Sequence, residues 1–210
     1  VTVTVSIERD GAESARTGLE LCIAAGGVAV FPADGLYGLA CDPLNQAAIE
    51  RIHRIKGRDD GKPSAVLYFS PLAMRELVEG LGDRTRTAVG ALLPGPVTLV
   101  VDNPGHRYPL ACREDPERLG LRLIDGPLEG MMWPVLQTSA NRSGEPAPAI
   151  FADVPHSVLS AVDVAIDGGA LNGAPSTVID VASLDSTGEW TILRQGGMPA
   201  DELRERFEAV

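Results

Sequence analysis

The chain has 210 residues, enough for one sizeable domain and short for two. Its 44% hydrophobic content and its scattered 23 glycines and 16 prolines argue for a folded α/β protein with tight loops rather than disorder. A formal net charge of −11 excludes a protein whose whole surface binds nucleic acid, since neutralising phosphates requires an excess of Lys and Arg. No apolar run is long enough to span a bilayer, no basic-then-apolar leader is seen, and the three cysteines (Cys22, Cys41, Cys112) lack metal-ligand spacing and cannot all pair, so a reduced, cytoplasmic protein is expected.

In chain order, Val3 to Ile7 reads as a short strand. Asp10, with Glu13 three residues on, predicts a capped helix running to about Ala25 and stopped by Gly26-Gly27. Val28 to Phe31 is a buried strand ending at Pro32. Asn45 caps a helix from Gln46 to about Lys56, with Ala48, Ile49, Ile52 and Ile55 on one face. Ala65 to Phe69 is a strand, and Leu72 to Glu79 and Thr85 to Leu92 are helices. Val97 to Val101 and Leu119 to Ile124 are strands, separated by a loop, 104–116, rich in Pro, Gly and charge and expected to be mobile. Strands follow at Val135 to Ser139, Val162 to Ile166, Thr177 to Val181 and Trp190 to Arg194, and Asp201 to Ala209 is an amphipathic helix. The alternation of strands and helices, with strands clustering late, predicts one α/β domain over 1–210. Its sheet is twisted, with mixed parallel and antiparallel strands and packed helices.

The familiar loops for nucleotides, metals and serine nucleophiles are absent from the sequence. What remains is a set of cations and hydroxyls at element ends. Lys56-Gly57-Arg58 with Lys62 forms one group. Ser139-Ala140-Asn141 closes an apolar strand, Ser176 precedes another, and Arg194 leads into Gln195-Gly196-Gly197. Each alone is explained as well by a solvated helix end, a turn or a strand cap. Together they read as the walls of a pocket for an anionic ligand, a nucleoside triphosphate fitting best. Phosphoryl and nucleotidyl transfer depends mainly on positioning and charge stabilisation and needs no protein nucleophile. The cationic island at 51–62 (Arg51, Arg54, Lys56, Arg58, Lys62) would focus an anion onto one place, or simply complement the helix dipole. Arg122 inside an apolar strand needs an anion partner or an edge position.

Several segments, in order, carry a resemblance: Phe31-Pro32-Ala33-Asp34-Gly35-Leu36-Tyr37-Gly38-Leu39, Ile55-Lys56-Gly57-Arg58 with Lys62-Pro63, and Leu93-Pro94-Gly95-Pro96-Val97-Thr98. They continue with Leu119-Gly120-Leu121-Arg122, Thr138-Ser139-Ala140-Asn141-Arg142-Ser143-Gly144, Pro175-Ser176-Thr177-Val178-Ile179-Asp180 and Leu193-Arg194-Gln195-Gly196. From about Gly26 to Gly197 the chain resembles the YrdC-like threonylcarbamoyl-AMP synthase family. The resemblance implies a YrdC-like fold and a nucleotidyltransferase that makes L-threonylcarbamoyl-AMP and pyrophosphate from ATP, L-threonine and bicarbonate, for threonylcarbamoyl modification of tRNA adenosine. It implies a tetrad of Lys56, Arg58, Ser139 and Asn141 at the reacting centre. ATP would lie on Arg58, Lys62, Ser139 and Arg194, and threonine on Arg122 and Ser176. Mg²⁺ would be held through the phosphates without protein ligands, and transferase partner proteins would act downstream. Two other readings stand beside it: a non-catalytic RNA-binding relative using the local basic patch, and a carbamoyl-adenylate-forming enzyme.

The family's two threonines in the first segment are Ala33 and Gly35 here, its Arg-x-Pro is Arg122-Leu123-Ile124, and a histidine common after Lys62-Pro63 is missing. All three departures fall on the threonine side. Gly35 is expected to leave a larger, less polar amino-acid pocket.

Overall fold

The computed structural model describes residues 1–57 and 62–208, so Arg58 lies outside the described residues. The strands are β1 (Val3–Ser6), β2 (Ala29–Pro32), β3 (Tyr37–Cys41), β4 (Ala65–Tyr68), β5 (Val97–Asp102), β6 (Arg118–Leu123), β7 (Val135–Ser139), β8 (Val164–Asp167), β9 (Thr177–Asp180) and β10 (Thr191–Arg194). The helices are α1 (Ile7–Asp10), α2 (Ala12–Ala24), α3 (Gln46–Lys56), α4 (Pro71–Glu79), α5 (Asp83–Leu92), α6 (Pro109–Cys112), α7 (His156–Leu159), α8 (Leu184–Thr187) and α9 (Ala200–Glu208). The strands form one mixed sheet in the order β1-β8-β2-β3-β7-β4-β6-β5-β9-β10. The β1–β8, β2–β8, β4–β6 and β5–β9 pairs are parallel, and the rest antiparallel.

Alternation across the strands sorts side chains between two cores. Val28 and Val30 face one cluster and Ala29 and Phe31 the other; Val66 and Tyr68 likewise oppose Leu67 and Phe69. Helices α3, α4 and α5 cover the first face. The second face is covered over part of its area by α2 and by Ile124, Leu128 and Met131. Farther along the same face, β4, β5, β6 and β7 present Ala65, Thr98, Gly120, Arg122 and Gln137 to an open cleft. The cleft is therefore the part of this sheet face that no helix covers among the described residues.

Several details depart from the sequence expectations. Asp10 does not cap α2. It accepts from the Ser6 backbone N–H at 2.9 Å and binds Arg9, and Gly11 takes the cap position. β3 has five consecutive buried residues with no alternation, and the sequence reading contained no strand there. The 104–116 loop is tied down: buried Asn103 donates to Arg107 O at 3.0 Å and Pro116 O at 2.9 Å, and α6 forms within the loop.

Helix α5 has Gly82 at its cap position and no side-chain cap of its own. Asp185 of α8 supplies one from a distance, accepting from Arg84 N, Thr85 N and Thr85 Oγ1 at 2.9, 3.2 and 2.5 Å. These hydrogen bonds hold its carboxyl below the ordinary value of 3.8 although partial desolvation pushes the other way. Asp185→Ala is expected to cost about 1–2 kcal/mol, as loss of a cap does. A carboxyl depressed in the folded state stabilises above its unfolded pKa, and that stability is lost as pH falls through the folded value. In denaturant titrations the gap between the two proteins should thus be full at pH 6 and close below pH 3.8.

Candidate active site

The cleft has a volume of about 580 Å³ and lies between the β2–β3 turn, the ends of β4 and β7, and the β9–β10 edge. Four cations line it among the described residues, Lys62, Arg118, Arg122 and Arg194, against the carboxylates Asp34 and Asp115. It therefore favours an anionic ligand.

Lys56 ends α3, where Gly57 adopts φ 69° and closes the helix in the left-handed conformation. From there the ammonium donates to Ser139 O at 2.5 Å and Asn141 O at 3.0 Å, with Ser139 Oγ and Asn141 Oδ1 both at 3.4 Å. Asn141 donates to Arg142 O and Glu145 O, and Ser143 N donates to Lys56 O at 2.9 Å, so the 139–145 loop and the end of α3 hold each other. The structure thus brings three of the expected tetrad together. It places them in two layers: Ser139 lines the cleft, whereas Lys56 and Asn141 are buried behind it at 4% and 8% exposure.

Arg122, 5% exposed, lies on the cleft floor. Its Nη1 donates to Gln137 Oε1 at 2.9 Å and its Nη2 pairs with Asp34. Its Nε is buried without a hydrogen-bond partner among the described residues. Burial pushes the Asp34 carboxyl up, and the Arg122 guanidinium opposes that push. The anion partner that a strand arginine requires is therefore internal, from the β2–β3 turn. The sequence assigns no site role to Asp34 or Gln137. Asp34 carries a signal, being the one charged side chain between Val28 and Cys41.

Ser176 Oγ lies 2.8 Å from Thr98 Oγ1, and Arg194 Nη2 donates to Ser176 O at 2.8 Å and Ser176 Oγ at 3.2 Å. Burial disfavours charge on Arg122, Asp34 opposes that push, and Arg194 is close enough to add to it. The groups expected on the threonine side and the ATP side thus adjoin. Thr177, fully buried, accepts from Gly196 N and Met198 N at 2.9 and 3.1 Å and fixes the chain after Arg194. Lys62 stands on the rim. Arg51 leaves the expected cationic island: it pairs with Asp163 at 2.6 Å and donates to Ala161 O.

The expectation of extra room at Gly35 is corrected. Gly35 is buried, and a β-carbon there would run into Ala174 O and Asn172 Oδ1. The 172–174 segment occupies the space, and Gly173 N donates to Gly35 O at 2.9 Å. Restoring a side chain by Gly35→Ala should cost about 1–3 kcal/mol, as overpacking does, and disturb the wall that carries Ser176. Thermal melts of the two proteins check this.

This cleft belongs to a sheet whose architecture has known counterparts. The Sua5/YciO/YrdC family model, described as telomere recombination, matches residues 22–196, and the chain belongs to that family. The threonylcarbamoyl-AMP synthase of Thiobacillus denitrificans is 33% identical over 180 residues, covering 81% of this chain and 93% of the relative. The Pyrococcus abyssi threonylcarbamoyl-AMP synthase is 29% identical, and there the match covers 86% of this chain and 53% of the longer relative. The crystal structure of P. abyssi Sua5 complexed with L-threonine superposes with a TM-score of 0.82 at 25% identity, over 98% of this chain and 60% of that one.

Proposed function

We propose that this chain synthesises L-threonylcarbamoyl-AMP from L-threonine, bicarbonate and ATP, with release of pyrophosphate. The observation that carries the reading is Arg122, buried on the floor of an anion-favouring cleft and flanked by Ser139 on its Lys56-held loop and by the Ser176–Arg194 pair. The names of the relatives and the L-threonine bound to the P. abyssi protein support it. In this reading the ammonium of threonine gives up a proton, and the resulting amine adds to bicarbonate, giving a carbamate with loss of water. A carbamate oxygen attacks the α-phosphorus of ATP, and pyrophosphate leaves.

Arg122 uses one N–H of Nη1 on Gln137 and one of Nη2 on Asp34, and the second N–H of each suits the threonine carboxylate, with Ser176 beside it. Lys62, Arg194 and Ser139 suit the triphosphate, and Arg58 is assigned there from the family pattern alone. Ser139, tied from behind by Lys56, is preorganised before any ligand arrives. ATP enters as its Mg²⁺ complex, the ion carried on the phosphates. The product feeds threonylcarbamoyl modification of tRNA adenosine through partner transferases in the cytoplasm. The test is pyrophosphate release with MgATP, omitting L-threonine or bicarbonate in turn. Release that requires both supports the reading; release indifferent to either one overturns it.

A further inference from the structure

The synthesis begins with a proton that has to leave. Near neutrality the amino group of a free amino acid is mostly ammonium, which has no lone pair to offer bicarbonate. Two carboxylates among the described residues line the cleft, Asp34 and Asp115. Asp115 stands 4.0 Å from Arg118, at the start of β6. Arg122 lies four residues farther along that strand, about 13 Å away. Asp34 is the carboxylate at the Arg122 end of the cleft, where its Oδ2 accepts from Arg122 Nη2. Its side chain is 16% exposed, and Oδ1 has no hydrogen-bond partner among the described residues. That oxygen can accept from a ligand.

Charge balance brings the ammonium to it. Arg122 and Asp34 already neutralise each other, so a substrate carboxylate on the remaining N–H groups of the guanidinium adds a net negative charge beside Asp34. An α-amino acid carries the compensating charge on the carbon next to its carboxylate. Set between that carboxylate and Asp34, the ammonium separates two anions that would otherwise repel each other. We infer that Asp34 receives the substrate ammonium and takes its proton, as the base of the carbamate-forming step. The inference rests on the reading of the cleft as a synthase site and adds the residue that generates the nucleophile. An N–H bond breaks, its electron pair stays on nitrogen, and the proton passes to Asp34 Oδ1. The lone pair bonds to the carbon of bicarbonate, and a second N–H proton leaves with the hydroxyl of that carbon as water. Asp34 returns its proton to solvent when the product departs. Its surroundings suit this work. Burial pushes the Asp34 carboxyl up, Arg122 opposes that push, and Asp125 on the loop after β6 adds to it. Lys62, Arg118 and Arg194 are the other cations lining the cleft among the described residues. A substrate carboxylate on Arg122 offsets the opposing charge, so the base strengthens once the amino acid is bound.

Two measurements separate a base from a prop for Arg122. The first is kcat/KM for L-threonine in pyrophosphate release, with bicarbonate and MgATP saturating, from about pH 7 to about pH 8.5. The unaltered protein should give a nearly flat profile, because it binds the abundant ammonium form and removes the proton itself. Asp34→Asn still offers Arg122 an acceptor of the same shape. It should lose about a hundredfold or more at the neutral end and regain about tenfold per pH unit, as solution supplies the free amine. That same rise in the unaltered protein would overturn the proposal, and so would a pH-independent loss in Asp34→Asn. The profile of the unaltered protein needs no variant, so the test stands even where Asp34→Asn does not fold. The second measurement is binding of L-threonine against 3-hydroxybutyrate, which lacks the ammonium. Asp34→Asn should weaken L-threonine about tenfold or more and leave 3-hydroxybutyrate unchanged or tighter. Equal weakening of both would show that Asp34 only aims Arg122, and would overturn the base. Pyrophosphate release that ignores L-threonine in the unaltered protein would overturn the parent reading, and the base with it.

Discussion

Lys56→Met loses pyrophosphate release by about a hundredfold or more, the scale seen when one preorganised polar group of an active site is removed. The thioether side chain fills much of the same volume but donates nothing, so Ser139 O and Asn141 O lose the ammonium that joins them. Leaving buried acceptors unpaired costs about 1–3 kcal/mol. The variant should therefore melt lower as well as turn over more slowly. Binding separates the two effects: with the rim cations intact, MgATP affinity at a temperature where the variant is folded should change much less than turnover. Turnover within a few-fold of the parent would show that the position of Ser139 does not depend on this tie.

Arg122→Ala is the second large effect. Removing one partner of a buried ion pair costs about 3–5 kcal/mol, because the remaining charge stays buried and unpaired. Here that charge is Asp34, whose carboxyl burial already pushes up. Without the guanidinium to oppose it, the carboxyl rises further. A group raised in the folded state stabilises at low pH, and that stability is lost as pH rises through the folded value. The deficit of Arg122→Ala should accordingly be largest near neutrality and shrink toward pH 4, measured by denaturant titration against the parent. Adding Asp34→Asn removes the stranded charge and should restore part of the stability. It should not restore use of L-threonine if, as proposed, Arg122 holds the amino-acid carboxylate, because that guanidinium is still missing. Recovery of full turnover by the double variant would show that Arg122 serves only to neutralise Asp34.

The sequence made the helices and buried strands legible where one period dominated. The apolar face of α3 and the turn glycine after it are examples, and with them the place of Lys56. β3 escaped because Tyr37-Gly38-Leu39-Ala40-Cys41 has no β-branched residue and carries Gly and Ala, whereas the equally buried β2 carries valine and phenylalanine. The α2 cap was misread because Asp10 has a nearer donor, Ser6 N, than the helix it precedes. In the site, the need of Arg122 for an anion followed from its neighbours in the chain. The identity of that anion did not, since Asp34, 88 residues away in the chain, reaches it from the β2–β3 turn across the intervening β7 and β4. The division of the tetrad into a cleft-facing Ser139 and buried supports is likewise a property of packing. The blocked space at Gly35 shows the limit of reading a substitution alone: losing a side chain opens a pocket only if no neighbouring segment closes over it.

The interleaved order of the sheet also governs how the site comes into being. Its walls come from segments between residues 33 and 194, and β5 finds its parallel partner β9 only after residues 103–176 have intervened. Such high contact order makes folding slow, because loop closure must precede the contacts that reward it. On the ribosome, a nascent chain that already carries Lys56, Arg122 and Ser139 still lacks the Ser176–Arg194 wall. Ligand binding therefore becomes available only once β9 and β10 have emerged and docked, and until then the apolar edge of β5 is open to chaperones or to wrong partners.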